Sequence, residues 1–346
     1  MRRGLLLPCF REVAMDGVAK LSHRQRIGRE NPAAYPFWAR TWLVFPLLLL
    51  CLLPLYAAEV DVAEGYPCLR QLEQITAGGA RMPAWMSDGE HFLITRSQED
   101  GIGEILCCQK KGNALAVSRR LSGRSPVSNR DDCIAFVQRA KDVDRIMVAE
   151  KGTQTPQPLV ELRGTVSRLS WSPDGKYLAY VLMSADGLGQ LNIFSLAEKK
   201  EETLDLAGCL DCAWSPDGLT MAVVRSRPVL GCELTAVLMD GHRAKVGSAK
   251  LPEVRVLVSR QAVEISCPSW SADSKHIAYV ERSGKASDIY VYSFSGANRR
   301  QFTFDGADNI EPAWSPDGRS ILFASRRAGM YHEVWKIHLI FTQTAR

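Results

Sequence analysis

One five-residue phrase returns along this chain in near-copy: Trp171-Ser172-Pro173-Asp174-Gly175, Trp214-Ser215-Pro216-Asp217-Gly218 and Trp314-Ser315-Pro316-Asp317-Gly318. Looser copies stand at Trp270-Ser271-Ala272-Asp273-Ser274 and Trp85-Met86-Ser87-Asp88-Gly89. Each leads into a short apolar run, such as Tyr177-Leu178-Ala179-Tyr180-Val181 or Ile321-Leu322-Phe323-Ala324. A sixth, degenerate copy, Val127-Ser128-Asn129-Arg130-Asp131, has lost Trp and Pro but still precedes the run Cys133-Ile134-Ala135-Phe136-Val137. Counted from the Trp position, with Val127 standing there in the degenerate copy, the repeats start at 85, 127, 171, 214, 270 and 314. Steps of 42, 44, 43, 56 and 44 residues match four short strands with their turns, the size of one β-propeller blade. The 3.6-residue apolar period of a helical repeat is missing from the repeat bodies.

The phrase has a mechanical reading. Pro fixes φ at the first central position of a tight turn, and Gly accepts the positive φ that completes the hairpin. The following run, rich in β-branched and aromatic residues, reads as a buried strand. A large ring just before the turn fills the wedge between neighbouring blades. These Trp and Asp residues are therefore expected in core and turn, not in a metal or catalytic site.

The two ends of the repeat region fit each other. The final copy has two strands after Trp314, the last being Glu333 to Leu339, and no outer strand. The stretch Leu72-Glu73-Gln74-Ile75-Thr76 parallels the outer strand Arg300-Gln301-Phe302-Thr303-Phe304 but lies ahead of the first copy. Pairing it with the last copy removes an open sheet edge. The expected fold is all-β: a six-bladed β-propeller over residues 68–346, closed by an N-terminal outer strand.

Residues 1–58 differ in kind. Trp42 to Tyr56 is almost wholly apolar, with Arg40 before it and Ala57-Ala58 after it, the pattern of an export signal. Its length is short of the ~20 residues of a spanning helix, and Pro46 and Pro54 interrupt it. A cleaved leader and an uncleaved anchor both place the following domain across the membrane, with the membrane touched only through this segment. The long stretch before the apolar run, with Met15 inside it, suggests that translation starts further along. Residues 59–67 read as a linker. The whole chain carries a net charge of +5, and residues 1–58, with eight Lys or Arg and three Asp or Glu, account for all of it. The remaining balanced surface argues against nucleic acid as a partner.

The chemistry-bearing motifs are few. No nucleophile elbow, phosphate loop, dinucleotide fingerprint or His-Glu-x-x-His occurs, so no catalytic, cofactor or metal residues are assigned. Cys209-Leu210-Asp211-Cys212 has the spacing of a redox or zinc half-site but lacks a second half; free thiols or a local disulfide are the plainer readings. The 56-residue step enlarges the fourth repeat around Gly247 to Pro252, ahead of Val254-Arg255-Val256-Leu257-Val258. The residues three before each repeat Trp, namely Met82, Arg124, Arg168, Asp211, Cys267 and Glu311, are expected at the start of the inner strands, near the mouth of the central tunnel. Arg124, Arg168, Asp211 and Glu311 are candidate partner-binding residues there; solvated charge on ordinary loops is the competing reading.

The Pro-x-Trp-Ser-Pro-Asp-Gly phrase resembles the signature of the TolB-type, WD40-like (PD40) propeller family, over residues 68–346. The resemblance implies a periplasmic, non-enzymatic protein-interaction module of the bacterial cell envelope, exported by a signal peptide. In that family the ring docks the peptidoglycan-associated lipoprotein of the Tol-Pal system, with one face and the tunnel mouth. The α/β domain that precedes the ring in that family has no counterpart in the short linker here. A lyase or hydrolase working at the tunnel mouth, and a stand-alone adaptor or sensor unconnected to the Tol system, are the rival readings.

Overall fold

In the computed structural model the described residues are 67–97, 103–153, 155–185, 187–240, 243–244 and 251–341. The apolar run of residues 42–56, with its export reading, lies outside them.

Hydrogen bonds within each turn explain why its residues recur. At Ser172 to Tyr177, the Ser172 N–H donates to the Tyr177 carbonyl (2.9 Å) and the Gly175 N–H to the Ser172 carbonyl (2.9 Å). The Ser172 hydroxyl donates to Asp174 Oδ1 (2.6 Å) and accepts the Tyr177 N–H (2.9 Å), while Asp174 Oδ1 accepts the Lys176 N–H (3.1 Å). Gly175 sits at φ +70°, where a side chain is strained. The turns opened by Ser215, Ser271 and Ser315 repeat this hydroxyl–carboxylate lock. The Asp residues are therefore turn locks.

The strands run in chain order. β1 (Pro67–Gln74) comes first; β2 (Arg81–Trp85), β3 (His91–Ser97), β4 (Gly103–Lys111) and β5 (Ala114–Ser122) follow. Then come β6 (Arg124–Ser128), β7 (Ile134–Ala140), β8 (Val143–Ala149) and β9 (Gln157–Arg163). A longer series follows: β10 (Thr165–Trp171), β11 (Tyr177–Met183), β12 (Gly189–Ser195), β13 (Lys200–Trp214), β14 (Thr220–Arg227), β15 (Gly231–Asp240), β16 (Arg243–Ala244) and β17 (Val254–Arg260). Last are β18 (Glu264–Trp270), β19 (His276–Ser283), β20 (Ala286–Ser293), β21 (Asn298–Gln301), β22 (Asn309–Trp314), β23 (Ser320–Ser325) and β24 (Glu333–Phe341). They form four four-stranded sheets, β2–β5, β6–β9, β18–β21 and β22–β24 with β1, and one eight-stranded sheet from β10 to β17. In the large sheet, β13 pairs through Lys200–Leu204 with β12 and through Cys209–Trp214 with β14. The enlarged fourth repeat spends its extra residues between β15 and its outer partner β17.

The sheets stand face to face as the blades of a propeller. Each apolar core joins neighbouring units: Ile289 and Val291 meet Trp314, Ile321 and Phe323, while Phe92, Ile94 and Leu106 meet Leu322 and Val334. Second strands are therefore covered on both faces, and for that reason read as continuous apolar runs rather than alternating ones.

The closure strand lies where the parallel between the two ends placed it. β1 runs antiparallel to β24, with Leu72 opposite Ile337 and Gln74 opposite Trp335. Buried Glu333 then captures the chain beyond β1. Its Oε2 accepts the Thr76 hydroxyl (2.7 Å), and its Oε1 accepts the N–H groups of Gly78 (2.8 Å) and Gly79 (2.9 Å). Both glycines have positive φ, +96° and +85°, which turns consecutive N–H groups toward one anion.

The degenerate copy needs a correction. Ser128, not Val127, occupies the Trp position: Ser128 pairs with Ile134 as Trp85 pairs with Phe92 and Trp171 with Leu178. Its turn is one residue shorter. Asn129 Oδ1 accepts the N–H groups of Asp131 and Cys133 (3.0 Å each), and Asp132 takes the positive φ of 57°. The first four repeats then start at 85, 128, 171 and 214, an even spacing of 43 residues. Pro126 falls in line with Pro83, Pro268 and Pro312. The residue three before the Trp position becomes Ser125, and Arg124 sits one place earlier.

Candidate binding channel

The strands β2, β6, β10, β13, β18 and β22 line a central channel with a cavity of about 310 Å³. Its wall is layered by sequence position. The outermost layer carries Met82, Ser125 and Arg168; next comes a collar of Pro83, Pro126, Leu169, Cys212, Pro268 and Pro312; the Trp layer lies beyond.

Side chains of the outermost layer clasp neighbouring inner strands. Asp211, 6% exposed, accepts the Cys267 N–H through Oδ2 (2.8 Å) and faces the Arg168 Nε through Oδ1 (3.2 Å). Glu311, also 6% exposed, accepts the Met82 N–H (2.7 Å) and the Arg81 Nη2 (2.8 Å). Met82 Sδ receives the Ser125 N–H at 3.3 Å. Arg124 lies outside this series: its Nη2 reaches fully buried Asp144 (2.6 Å) and its Nη1 the Val166 carbonyl (2.9 Å). Arg168, Asp211 and Glu311 thus gather at one end of the channel, while Arg124 approaches from beside it.

Carboxylates and guanidiniums are unequally exposed. The side chains of Asp211, Glu311 and Asp144 are nearly closed off, whereas those of Arg81, Arg124 and Arg168 keep 44%, 29% and 23% of their surface. Burial opposes the charge on Arg168, but the nearby carboxylates of Asp211 and Glu311 outweigh it and raise its pKa. Arg168 spends only Nε on Asp211. The mouth therefore offers outward donors backed by inward acceptors.

Two modes of Trp docking tie the inner strands together. Where the residue before the preceding Trp position is Ala, the next indole N–H crosses to its carbonyl: Trp85 to Ala313 and Trp270 to Ala213, 3.0 Å each. Where it is Ser, the hydroxyl takes the backbone N–H of the next Trp, as Ser170 does for Trp214 (2.8 Å) and Ser269 for Trp314 (2.9 Å). The indole then turns back to its own turn, at Gly218 or Gly318. Trp171 follows Val127, and its buried indole N–H has no partner among the described residues.

Cys212 is 1% exposed and burial, then the Asp211 charge, push its thiol well up, which makes it a poor nucleophile. Cys209 and Cys212 are both free. Among the described residues no group of three His, Cys, Asp or Glu could hold a metal ion. Arg81 and Asp144 belong to no repeat phrase or motif in the sequence. Asp144 lies on a third strand, and pairing within its own sheet brings it to Arg124. Pro126, in contrast, was a readable marker of the correct register.

No family model matches the sequence. The Tol-Pal system protein TolB of Bordetella pertussis (strain Tohama I) is 30% identical over 214 residues, covering 48% of this chain and 47% of that protein. The crystal structure of TolB from Acinetobacter baumannii aligns with a TM-score of 0.58 at 17% identity, over 68% of this chain and 57% of that one. The ring is a TolB-like β-propeller. A further relative of the TolB-like chain, the uncharacterized peptidase YuxL of Bacillus subtilis (strain 168), is 28% identical over 182 residues, 52% of this chain and 24% of that protein. The chain thus spans about half the length of the matched TolB and about a quarter of YuxL.

Proposed function

We propose that this chain is an exported, non-enzymatic protein-interaction module of the bacterial cell envelope. Its ring has six blades, β13 serving as the outer strand of the third and the inner strand of the fourth. It works in the periplasm, and the mouth of its channel docks an envelope protein, with the peptidoglycan-associated lipoprotein as the first candidate. In this reading Arg124 and Arg168 present donors to the partner, while Asp211 and Glu311 hold the inner strands that carry them.

The observation that carries the proposal is the polarity of the mouth. Half-exposed guanidiniums stand over buried, fully engaged carboxylates, so an approaching surface meets directional donors without a competing anion. The chain also enters the ring at the other end: Pro67 pairs with Phe341, and β1 reaches the mouth side only at Gln74. The strand therefore does not cross the docking surface. An enzymatic channel would need a base or nucleophile of suitable pKa, and the wall supplies hydroxyls, a buried thiol and Arg168.

The test is affinity capture from solubilised envelopes with the full chain, comparing it with Arg168→Lys. Lys keeps a charge beside Asp211 but loses the planar fork of donors. Specific recovery of the peptidoglycan-associated lipoprotein by the parent, reduced about tenfold by the variant at unchanged thermal stability, is expected. Failure of the parent to recover that lipoprotein, or equal recovery by the variant, overturns the assignment.

A further inference from the structure

A second cavity lies at the seam where the ring closes, and Arg81 is common to it and to the edge of the channel mouth. It measures about 340 Å³, and among its lining residues are Arg81, Thr95 and Ser97 from one side of the seam and Arg326, Met330 and Tyr331 from the other. Arg81 and Arg326 stand 245 positions apart in sequence, so the cavity exists only in the closed ring. The β1–β24 pairing and the Glu333 latch create it.

The donors in this cavity outnumber its acceptors. Arg81 uses one Nη on Glu311. Arg326 is exposed, and among the described residues its guanidinium meets the His332 Nδ1, through Nε at 3.3 Å. That bond leaves the His332 proton on Nε2, which faces Asp308 Oδ2 at 3.1 Å. Thr95 is 8% exposed, and its hydroxyl has no hydrogen-bond partner among the described residues. Leaving a buried polar group unpaired is costly, so this hydroxyl favours a ligand atom that can pair with it. Nearby carboxylates are already engaged: Glu311 by Arg81 and Met82, Glu333 by Thr76 and the two glycines, and Asp308 by Arg282, Ser287 and His332.

The cavity also has an apolar lip. Met330 and Tyr331 are 83% and 69% exposed, unusual for large apolar groups beside two cations. Tyr331 is seated against the closure turn, where its Cβ lies 3.8 Å from the position a Gly79 Cβ would take. A flat apolar group could lie against these two side chains while its charged end meets the guanidiniums.

We propose that the closure seam is a binding site for a small oxyanion carrying a flat apolar group, with Arg81, Arg326 and the Thr95 hydroxyl holding the anion and Met330 and Tyr331 covering the apolar part. Carboxylate and phosphate share the recognising chemistry, and the seam sits apart from the channel residues Arg168 and Asp211. The local field is consistent with this assignment. Burial first, then repulsion from Arg81 and Arg326, lowers the His332 pKa, against the opposing pull of Asp308.

Isothermal titration of the full chain with phenyl phosphate, inorganic phosphate, benzoate and benzamide tests the site. Saturable binding of phenyl phosphate or benzoate is expected, at least about tenfold tighter than inorganic phosphate or neutral benzamide. The better of the two anions assigns the headgroup. Arg326→Gln should weaken the aryl anion by about tenfold, and Tyr331→Ala should reduce it to the level of inorganic phosphate. Both positions are exposed, so the variants are expected to fold, and NMR of the His332 imidazole gives an independent readout: a bound anion should raise its pKa. Equal binding of benzamide, no saturation at millimolar ligand, or affinity unchanged in both variants overturns the proposal.

Discussion

Replacing Glu333 tests whether the ring is held by its latch. The carboxylate accepts three hydrogen bonds, from the Thr76 hydroxyl and the Gly78 and Gly79 amides, at 2.7, 2.8 and 2.9 Å. Hydrogen bonds to a charged acceptor contribute about 1.5–3 kcal/mol each, but the closure turn can recover water once the acceptor is gone. Glu333→Ala should therefore cost about 2–4 kcal/mol rather than the full sum. At about 2.1 cal/mol/K of unfolding entropy per residue, that lowers the Tm of a ring this size by about 3–7 °C. Glu333→Gln keeps one acceptor for the two glycine amides and should cost about half as much. Native-state hydrogen exchange separates a local latch from general damage. The Gly78 and Gly79 amides should lose protection in Glu333→Ala, while the Gly218 amide, bonded to the Ser215 carbonyl in its own turn, should not. Unchanged Tm with unchanged Gly78 and Gly79 exchange would refute the reasoning.

Three further outcomes are expected. Ser170→Ala removes the acceptor of the Trp214 N–H and should destabilise the chain by about 1–2 kcal/mol in urea titrations, whereas Ala213→Ser, beside an indole that uses the backbone carbonyl, should change little. In the turns, burial works to raise the carboxyl pKa of Asp174, Asp273 and Asp317, but the Ser hydroxyls and backbone amides outweigh it and hold each below the ordinary 3.8. A depressed acid stabilises the fold above its unfolded pKa and loses that effect as pH falls through its folded value. Melting temperature should thus drop as pH falls below about 4, less steeply in Asp273→Asn, and an unaltered slope in that variant would count against the turn lock. Burial pushes the Cys108 thiol to about 12 and the Cys209 thiol to about 11, so both should resist alkylation at pH 8 in the native chain and react in urea, as read by mass spectrometry of labelled peptides.

Much of the architecture was legible locally because a propeller repeats one local problem. Ser, Asp and Gly recur at fixed offsets since each turn needs a hydroxyl, a carboxylate and a positive φ at those places. The apolar run after Trp314 is continuous because both of its faces are covered. The orphan strand at Leu72 to Thr76 was recognisable because its counterpart at Arg300 to Phe304 stands in the same order before a Trp. The degenerate copy misled by one residue, since its turn shortened just where Trp and Pro, the two landmarks, had been lost.

The site depended on contacts that sequence spacing does not encode. Arg168, Asp211 and Glu311 looked like free charge at a tunnel mouth, yet the two carboxylates are consumed in joining one inner strand to the next. Whether an indole bonds across the seam or to its own turn is decided by an Ala or Ser on the neighbouring unit, a full repeat away. The seam cavity is the extreme case, because Arg81 and Arg326 become neighbours only when the first strand pairs with the last. Turn chemistry and strand burial are properties of a few consecutive residues, and the sequence alone determined them. Charge pairing and cavity shape arise from the curvature that brings distant strands together, and only the tertiary structure decided them.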